Sequence, residues 1–351
     1  MSETYEHARL VDWARGLFAA AGAEADKAQA VAGILVEGDL LGHDTHGLAL
    51  LAPYLDALVT TRDMLPAGQP VTLNDRPAAL LWDGRRLPGP WLVCRALDEA
   101  ARRAAIYGTA TVVIRRSHHI ACLAAYLKPI TDRGLVALIY SSDPAVAAVA
   151  PFGGTRAVMT PNPMAIGIPA SGDPILVDIS ASITTMGMSG RYKREGRRMP
   201  GAWLTDGKGL PSDDPRVLDG DPPGALMPLG GADAGHKGFG LGLTIEALTS
   251  GLGGYGRADP VPGWGASVFV QVLDPAAFGG VDGFHRQIDL LVTRCVENPP
   301  RAGGEGVRMP GHRGLQRRRS QLASGIALHP SILPSLKPWA ERFGIAMPSP
   351  R

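Results

Sequence analysis

The spacing of apolar residues predicts a helical region near the N-terminus. Apolar side chains recur every three or four positions between residues 10 and 18, and Gly22 ends this pattern. Residues 63–90 are rich in Pro, Gly and Asp, which favours strands and turns there. Further helices are predicted over 23–41, 50–59 and 91–107, the last being followed by Gly108.

Beyond residue 108, strand patterns alternate with helical ones. Segment 109–115 (TATVVIR) has the β-branched content of a strand. Frequent Pro and Gly predict ordered, irregular loops over 142–174 and 199–232. We therefore expect an α/β fold, with further strands over 135–141, 175–179 and 267–273 and helices from Lys237 and over 282–297, 312–324 and 331–343.

A glycine pattern near residue 251 matches GxGxxG through Gly251, Gly253 and Gly256. The dinucleotide-binding form of this motif follows a strand and opens a helix, so that phosphate meets free helix N–H groups. Here the glycines close a predicted helix and lead into a Pro-rich turn. The sequence therefore argues against a Rossmann-type site at this position.

The composition is that of a globular enzyme. Apolar residues make up 45% and charged residues 19% of the 351-residue chain, which excludes a disordered protein and suggests about two domains. The net charge of +2 gives no reason to expect nucleic acid or an anionic membrane as a partner. The three cysteines show no metal-ligand spacing, no apolar run spans a bilayer, and the N-terminus lacks a signal-peptide pattern. A soluble, cytoplasmic protein is expected.

The pair His118-His119 follows the strand predicted over 109–115. We expect Ser117 to cap a helix that begins there, so that its positive N-terminal end lowers the pKa of both imidazoles. A neutral histidine in that place can exchange a proton with a carbonyl or imine substrate. The alternative is that one ring caps the turn and the other packs, and for His118 packing is favoured.

Two other polar segments are candidates for ligand contact. His43, Asp44 and His46 share a turn after a helix, where His46 is expected to bind substrate; His43 and His46 alone make a weak metal pattern, so no metal is predicted. Segment 235–238 (GHKG) opens a predicted helix, where free N–H groups and Lys237 suit a pyrophosphate. A glycine-rich packing helix is the alternative for that segment.

Taken in order, the segments of the chain resemble the malate/L-lactate dehydrogenase family that is unrelated to Rossmann-type enzymes. That family also includes ureidoglycolate and sulfolactate dehydrogenases and reductases of cyclic imino acids. The resemblance rests on Thr45-His46-Gly47, Ser117-His118-His119, Pro161-Asn162-Pro163, Val177-Asp178-Ile179-Ser180, Gly235-His236-Lys237-Gly238 and Arg308-Met309-Pro310-Gly311.

The resemblance implies an α/β fold with a non-Rossmann cofactor-binding domain, a largely antiparallel sheet and a helical domain formed by both termini. The expected domains are 1–75 with 305–351, which is helical, and 76–304, which binds NAD(P) and substrate. The family also implies a homodimer that acts on a small-molecule substrate.

The resemblance, with the residue chemistry above, implies an NAD- or NADP-dependent oxidoreductase that moves a hydride to or from a 2-oxo, 2-hydroxy or 2-imino acid. Exposed basic residues such as Arg191, Lys193 and Arg194 leave the choice between NAD and NADP open. The expected catalytic residues are His119, as proton donor and acceptor, and His46. The expected substrate contacts are Thr45, His118, Arg116 and Asn162, and the expected cofactor contacts are Ser142, Asp143, Thr160, Val177, Asp178, Ile179, His236, Lys237, Gly238 and Arg308.

The chain departs from the family pattern where the substrate is held. Leu41 and Leu50 stand where family members usually carry arginines, and leucine cannot bind a carboxylate. The substrate is therefore expected to be bulkier or more apolar than malate or lactate, or to be held by Arg115 or Arg116. Two alternatives remain: a cofactor-binding protein that has lost catalysis, and a metal-dependent hydrolase that uses His43 and His46.

Overall fold

The computed structural model describes residues 3–351. Its helical part is built from both ends of the chain, as predicted: α2 packs against α1 and α9, and α10 packs against α1 and α3. The helices are α1 His7–Ala20, α2 Ala25–Leu41, α3 Leu51–Val59, α4 Gly89–Tyr107, α5 Lys128–Thr131, α6 Met186–Arg194, α7 Gly231–Glu246, α8 Val281–Val296, α9 His312–Ser324 and α10 Ile332–Phe343.

The main sheet has seven strands in the order β1-β2-β3-β10-β4-β5-β6. Its pairings are antiparallel except that between β2 and β3, which confirms the largely antiparallel sheet. A small second sheet has the order β8-β7-β9. The strands are β1 Val71–Arg76, β2 Ala79–Asp83, β3 Thr109–Ser117, β4 Val136–Ser142, β5 Pro163–Ile168, β6 Ile175–Ser180, β7 Leu204–Thr205, β8 Pro211–Ser212, β9 Ala225–Leu226 and β10 Ala266–Leu273.

Strand β10 lies between β3 and β4 and is buried along most of its length. Helix α4 packs against β3 and β10, while the π-helical turn Ala247–Gly251 that extends α7 contacts β10 and β4. A strand buried in this way reads as a nearly continuous apolar run, which is why its pattern (ASVFVQVL) predicted it. Gly251 ends that turn, so the glycine pattern closes a helix, as predicted.

Two sequence-based predictions are wrong. The segment after Ser117 is irregular rather than helical, and the next helical turn is the 3₁₀ segment Leu123–Tyr126. The loop predicted over 142–174 contains β5. The helix predicted from Lys237 is present: α7 begins with a turn at Gly231, and after a non-helical residue at Ala234 it continues from Gly235. Short or interrupted patterns carry too little local information to place such boundaries.

The division into 1–75 with 305–351 and 76–304 stays a prediction. Its first boundary falls within β1, and one continuous hydrophobic core extends from Tyr5 through the sheet to Ala340. Within residues 3–351, no helix is both long enough and apolar enough to cross a bilayer.

Candidate active site

The segment that carries His118 and His119 leaves the end of β3 as an irregular segment. The His118 N–H donates to the Leu87 carbonyl at 3.2 Å, just before α4 begins. A Cβ on Gly89 would lie 2.3 Å from the His118 carbonyl oxygen and 2.4 Å from that of His119. Only glycine therefore allows the first turn of α4 to approach the histidine backbone so closely.

His119 is held by an aromatic cage. Its Nδ1 lies 2.8 Å from the Tyr54 hydroxyl, which also donates to the His119 carbonyl oxygen at 3.1 Å, and the Ala121 N–H points at Nδ1 from 3.3 Å. The indole of Trp264 stacks on the ring with centroids 4.5 Å apart. Burial, with smaller contributions from His46 and His118, holds the pKa of His119 well below its usual 6.5.

This burial replaces the helix-end effect expected from the sequence. No α-helix begins at Ser117, so the low pKa of His119 arises from desolvation rather than from a helix dipole. The expectation of a neutral imidazole holds, but for a different physical reason.

His46 faces the same space as His119. The two rings are 6.1 Å apart between centroids, and the Thr45 hydroxyl lies 2.9 Å from Nδ1 of His46. Burial lowers the pKa of His46, His43 lowers it further, and Asp44 opposes both. Thr45 and Tyr54 thus each fix the Nδ1 edge of one histidine, and within residues 3–351 neither Nε2 has a hydrogen-bond partner.

His118 is placed differently from the prediction. Its side chain has 0% exposure and packs edge-on against Tyr54 and Trp264, with ring centroids 5.6 and 5.2 Å away. Burial, followed by the charge of Arg86, lowers the pKa of His118 to about 3. This burial favours the packing alternative for His118, and its substrate contact stays a prediction.

Asn162 belongs to an internal polar network. Its amide nitrogen donates to the Gly242 carbonyl and to Glu246, while its oxygen accepts from Thr160. The side chain has 0% exposure, and the expected substrate contact at Asn162 stays a prediction. Ser142, predicted to bind cofactor, donates to the same Glu246 carboxylate at 2.8 Å.

The network is completed by Arg257, which sequence reasoning missed. Its guanidinium lies 2.9 Å from Glu246 and donates to the carbonyls of Asp143 and Val146. Arg257 directly follows Gly256 of the discounted glycine pattern, and no local signal pointed to it. The Arg257–Glu246 ion pair thus lies between the end of β4 and the start of β5. Burial raises the pKa of the neighbouring Asp143.

Four of the residues predicted to bind cofactor line a cleft with a volume of about 790 Å³: Val177, Asp178, Ile179 and Arg308. Arg313, Arg317, His43 and Leu41 line it as well. Three guanidinium groups in one cleft provide a positive field suited to phosphate or carboxylate. The cleft can thus receive an anionic dinucleotide.

The chain also brings together three potential metal ligands that the sequence did not connect. Donor atoms of His43, Cys122 and Asp178 lie within 4.8 Å of one another. Asp178 accepts the Ala124 N–H at 2.9 Å, and burial raises its pKa against the opposing effect of His43. The arginines of the same cleft oppose a cation, so this trio carries no metal assignment.

Segment 235–238 lies on α7 and does not line this cleft. Gly238 packs against Ala181 and Leu229, and its N–H donates to the Leu229 carbonyl at 3.1 Å, so it is not available to a phosphate. This favours the packing alternative at Gly238, and its cofactor contact stays a prediction. His236 and Lys237 are exposed, and their cofactor contacts stay predictions.

Arg115 and Arg116 both pair with the buried carboxylate of Asp83, at 3.2 and 3.3 Å. Arg116 adopts a positive φ of 54° that turns it toward this carboxylate. Their role as substitutes for the missing arginines therefore competes with an existing ion pair, and the substrate contact of Arg116 stays a prediction.

Comparison with known proteins agrees with the fold and with the ordered motifs. The family model for malate/L-lactate dehydrogenase matches residues 5–337. The chain belongs to this family. It is 30% identical to L-lactate dehydrogenase of Cupriavidus necator over 343 residues, covering 96% of this chain and 97% of that protein.

Other relatives within the malate/L-lactate dehydrogenase family act on different substrates. The chain is 30% identical over 351 residues to a Delta(1)-pyrroline-2-carboxylate/Delta(1)-piperideine-2-carboxylate reductase of Pseudomonas syringae pv. tomato, covering 96% of each. Its fold matches malate dehydrogenase from Entamoeba histolytica with a TM-score of 0.92 at 21% identity, covering 99% of this chain and 100% of that one. The relatives are dehydrogenases and reductases, and they support an enzyme of that kind.

The leucines that depart from the malate/L-lactate dehydrogenase pattern have different surroundings. Leu41 is 7% exposed and lines the cleft, whereas Leu50 packs against the hydrophobic core. A different arginine supplies positive charge near this region: Arg191 of α6 lies 3.1 Å from Asp44, in the turn that carries His46.

Proposed function

We propose that the chain transfers a hydride between NAD(P)H and C2 of a 2-oxo, 2-hydroxy or 2-imino acid, with His119 exchanging the proton. The observation that carries the proposal is the facing pair His46 and His119, 6.1 Å apart, each with its Nδ1 edge held by a hydroxyl group. In each ring this contact leaves Nε2 without a hydrogen-bond partner among residues 3–351, so Nε2 is the atom proposed to meet the substrate.

The surroundings of His119 suit a proton carrier. The Tyr54 hydroxyl can donate to Nδ1, or accept from it while donating to the His119 carbonyl oxygen. Because the Ala121 N–H also donates to Nδ1, the tautomer with its proton on Nε2 is favoured, and this proton is the one that His119 would exchange with substrate. Burial keeps the ring neutral before substrate binds, and a substrate carboxylate nearby raises its pKa toward neutrality.

The cleft lined by Asp178 and three arginines is the proposed cofactor site. Arg308, Arg313 and Arg317 would hold its phosphates, and Asp178 would lie beside its polar groups. When bound, the nicotinamide ring supplies or accepts the hydride. NAD and NADP are both retained in the proposal, because Arg191 and Lys193 of α6 are paired with Asp44 and Asp219.

The substrate we propose is larger or more apolar than malate or lactate. Leu41 gives one wall of the cleft an apolar surface, and Trp264 adds an aromatic face beside His119. The relative that reduces cyclic imino acids supports an imine as one such substrate. From the family resemblance we further propose a cytoplasmic homodimer, to be tested by a solution mass twice the 36.8 kDa of one chain.

The test is His119→Ala, with His329→Ala as the matched control, because His329 is half-buried and its ring contacts Ser331 rather than the candidate site. Turnover is measured with NADH and NADPH on a panel of linear 2-oxo acids and cyclic imines. We expect kcat to fall by about 10²–10⁴-fold in the first variant with cofactor binding retained. Unchanged turnover in His119→Ala would refute the assignment. Cofactor binding without turnover on any substrate by the wild-type chain would instead favour a protein that has lost catalysis.

A further inference from the structure

A buried carboxylate lies beneath the turn that carries His46. Asp39, on the last turn of α2, is 3% exposed and accepts the Leu48 N–H at 2.8 Å. A Cβ on Gly47 would lie 2.5 Å from this carboxylate, so the turn passes directly over it. On the neighbouring residue Gly38, a Cβ would lie 3.1 Å from the His46 carbonyl oxygen. The end of α2 therefore contacts the backbone on both sides of His46.

The same carboxylate lies at the start of the element that carries Tyr54. Leu48 opens a 3₁₀ turn, Leu48–Leu50, that continues directly into α3. Carboxylates are favoured beside the free N–H groups of such a helix start. Since the Tyr54 hydroxyl contacts Nδ1 of His119, Asp39 is connected to His46 through the turn and to His119 through α3.

We propose that Asp39 is a positioning residue for both histidines, holding the turn 43–47 and the start of α3 in a single arrangement. The proposal rests on the function proposed above. Asp39 itself lies behind the turn and acts through Leu48 and Gly47 rather than on substrate.

Burial disfavours the charged form of this carboxylate. It raises the pKa of Asp39 to about 7; Asp44 in the turn adds to this, while the Leu48 N–H and Arg317 of α9 oppose it. Because this pKa lies above the ordinary value of 3.8, the folded state binds more protons than the unfolded chain between those pH values. The contribution of Asp39 to the stability of the fold therefore decreases as pH rises from about 4 to 7.

The test is Asp39→Asn, which preserves the shape and one acceptor oxygen, beside the control Asp56→Asn on α3. Two readouts are measured at pH 8: amide hydrogen exchange of segment 43–50, and kcat/KM on the best substrate found. For Asp39→Asn we expect faster exchange confined to that segment and a fall in kcat/KM of about 10- to 100-fold. The thermal midpoint is expected to equal or exceed that of the wild type.

The proposal would be overturned if the amide hydrogens of segment 43–50 exchanged in Asp39→Asn at the wild-type rate. It would also be overturned if this variant lost stability and activity in proportion. If the wild-type chain turns over no substrate on the panel, the proposed function fails, and hydrogen exchange alone decides the role of Asp39. The two failures are thus distinguishable.

Discussion

We expect Gly89→Ala to disturb the candidate site, because Gly89 lies against the backbone of His118 and His119. The added methyl group would lie 2.3 and 2.4 Å from the carbonyl oxygens of His118 and His119. A carbon and a carbonyl oxygen need about 3.3 Å, so the two surfaces must separate by about 1 Å. The histidine segment is expected to move because α4 is a long, buried helix.

The backbone around this contact has little freedom to absorb the shift. The His118 N–H is bound to Leu87, and the Arg86 N–H to the Arg116 carbonyl at 2.6 Å. Overpacking of this kind typically costs about 1–3 kcal/mol of stability. A displacement of about 1 Å at a catalytic group can lower the rate by about 10²-fold, and we expect a loss of that order in kcat/KM.

The assay compares Gly89→Ala with Gly33→Ala, a matched substitution in the interior of α2 where nothing lies within 4 Å of the new methyl group. The control is expected to retain activity and to gain up to about 1 kcal/mol, since alanine is the better helix former. Activity is followed by NAD(P)H absorbance, and stability by thermal unfolding. Wild-type activity and stability in Gly89→Ala would refute the close approach.

Two further predictions concern the aromatic cage. Tyr54→Phe removes the hydroxyl 2.8 Å from Nδ1 of His119, and we expect kcat to fall about 10-fold with cofactor affinity unchanged; an unchanged kcat in steady-state assays would contradict the role of Tyr54. Burial lowers the pKa of His118 to about 3, below its usual 6.5, so stability is lost as pH falls through that interval, by up to about 1.4 kcal/mol per pH unit. Urea unfolding at several pH values should show a weaker acid dependence in His118→Phe, and equal slopes in both chains would refute this.

Much of the fold was predictable because its information is local. The periodicity of α1, α2 and α4, and the β-branched runs of β3 and β10, lie within the segments themselves. The ordered motifs identified the family for the same reason, since each is a short run of adjacent residues. Strand β5 was missed because Pro and Gly interrupt the pattern around it.

The candidate site was predictable only in part, because burial and contact between distant segments decided the rest. The sequence named His46 and His119, but only tertiary packing brings their rings to 6.1 Å and lowers the pKa of His119 by desolvation. The same packing removed His118 and Asn162 from contact with solvent. Asp39 gave no signal as a lone acidic residue near a helix end. The positioning role proposed for Asp39 depends on Gly47, because only a residue without a side chain lets the turn pass over that carboxylate.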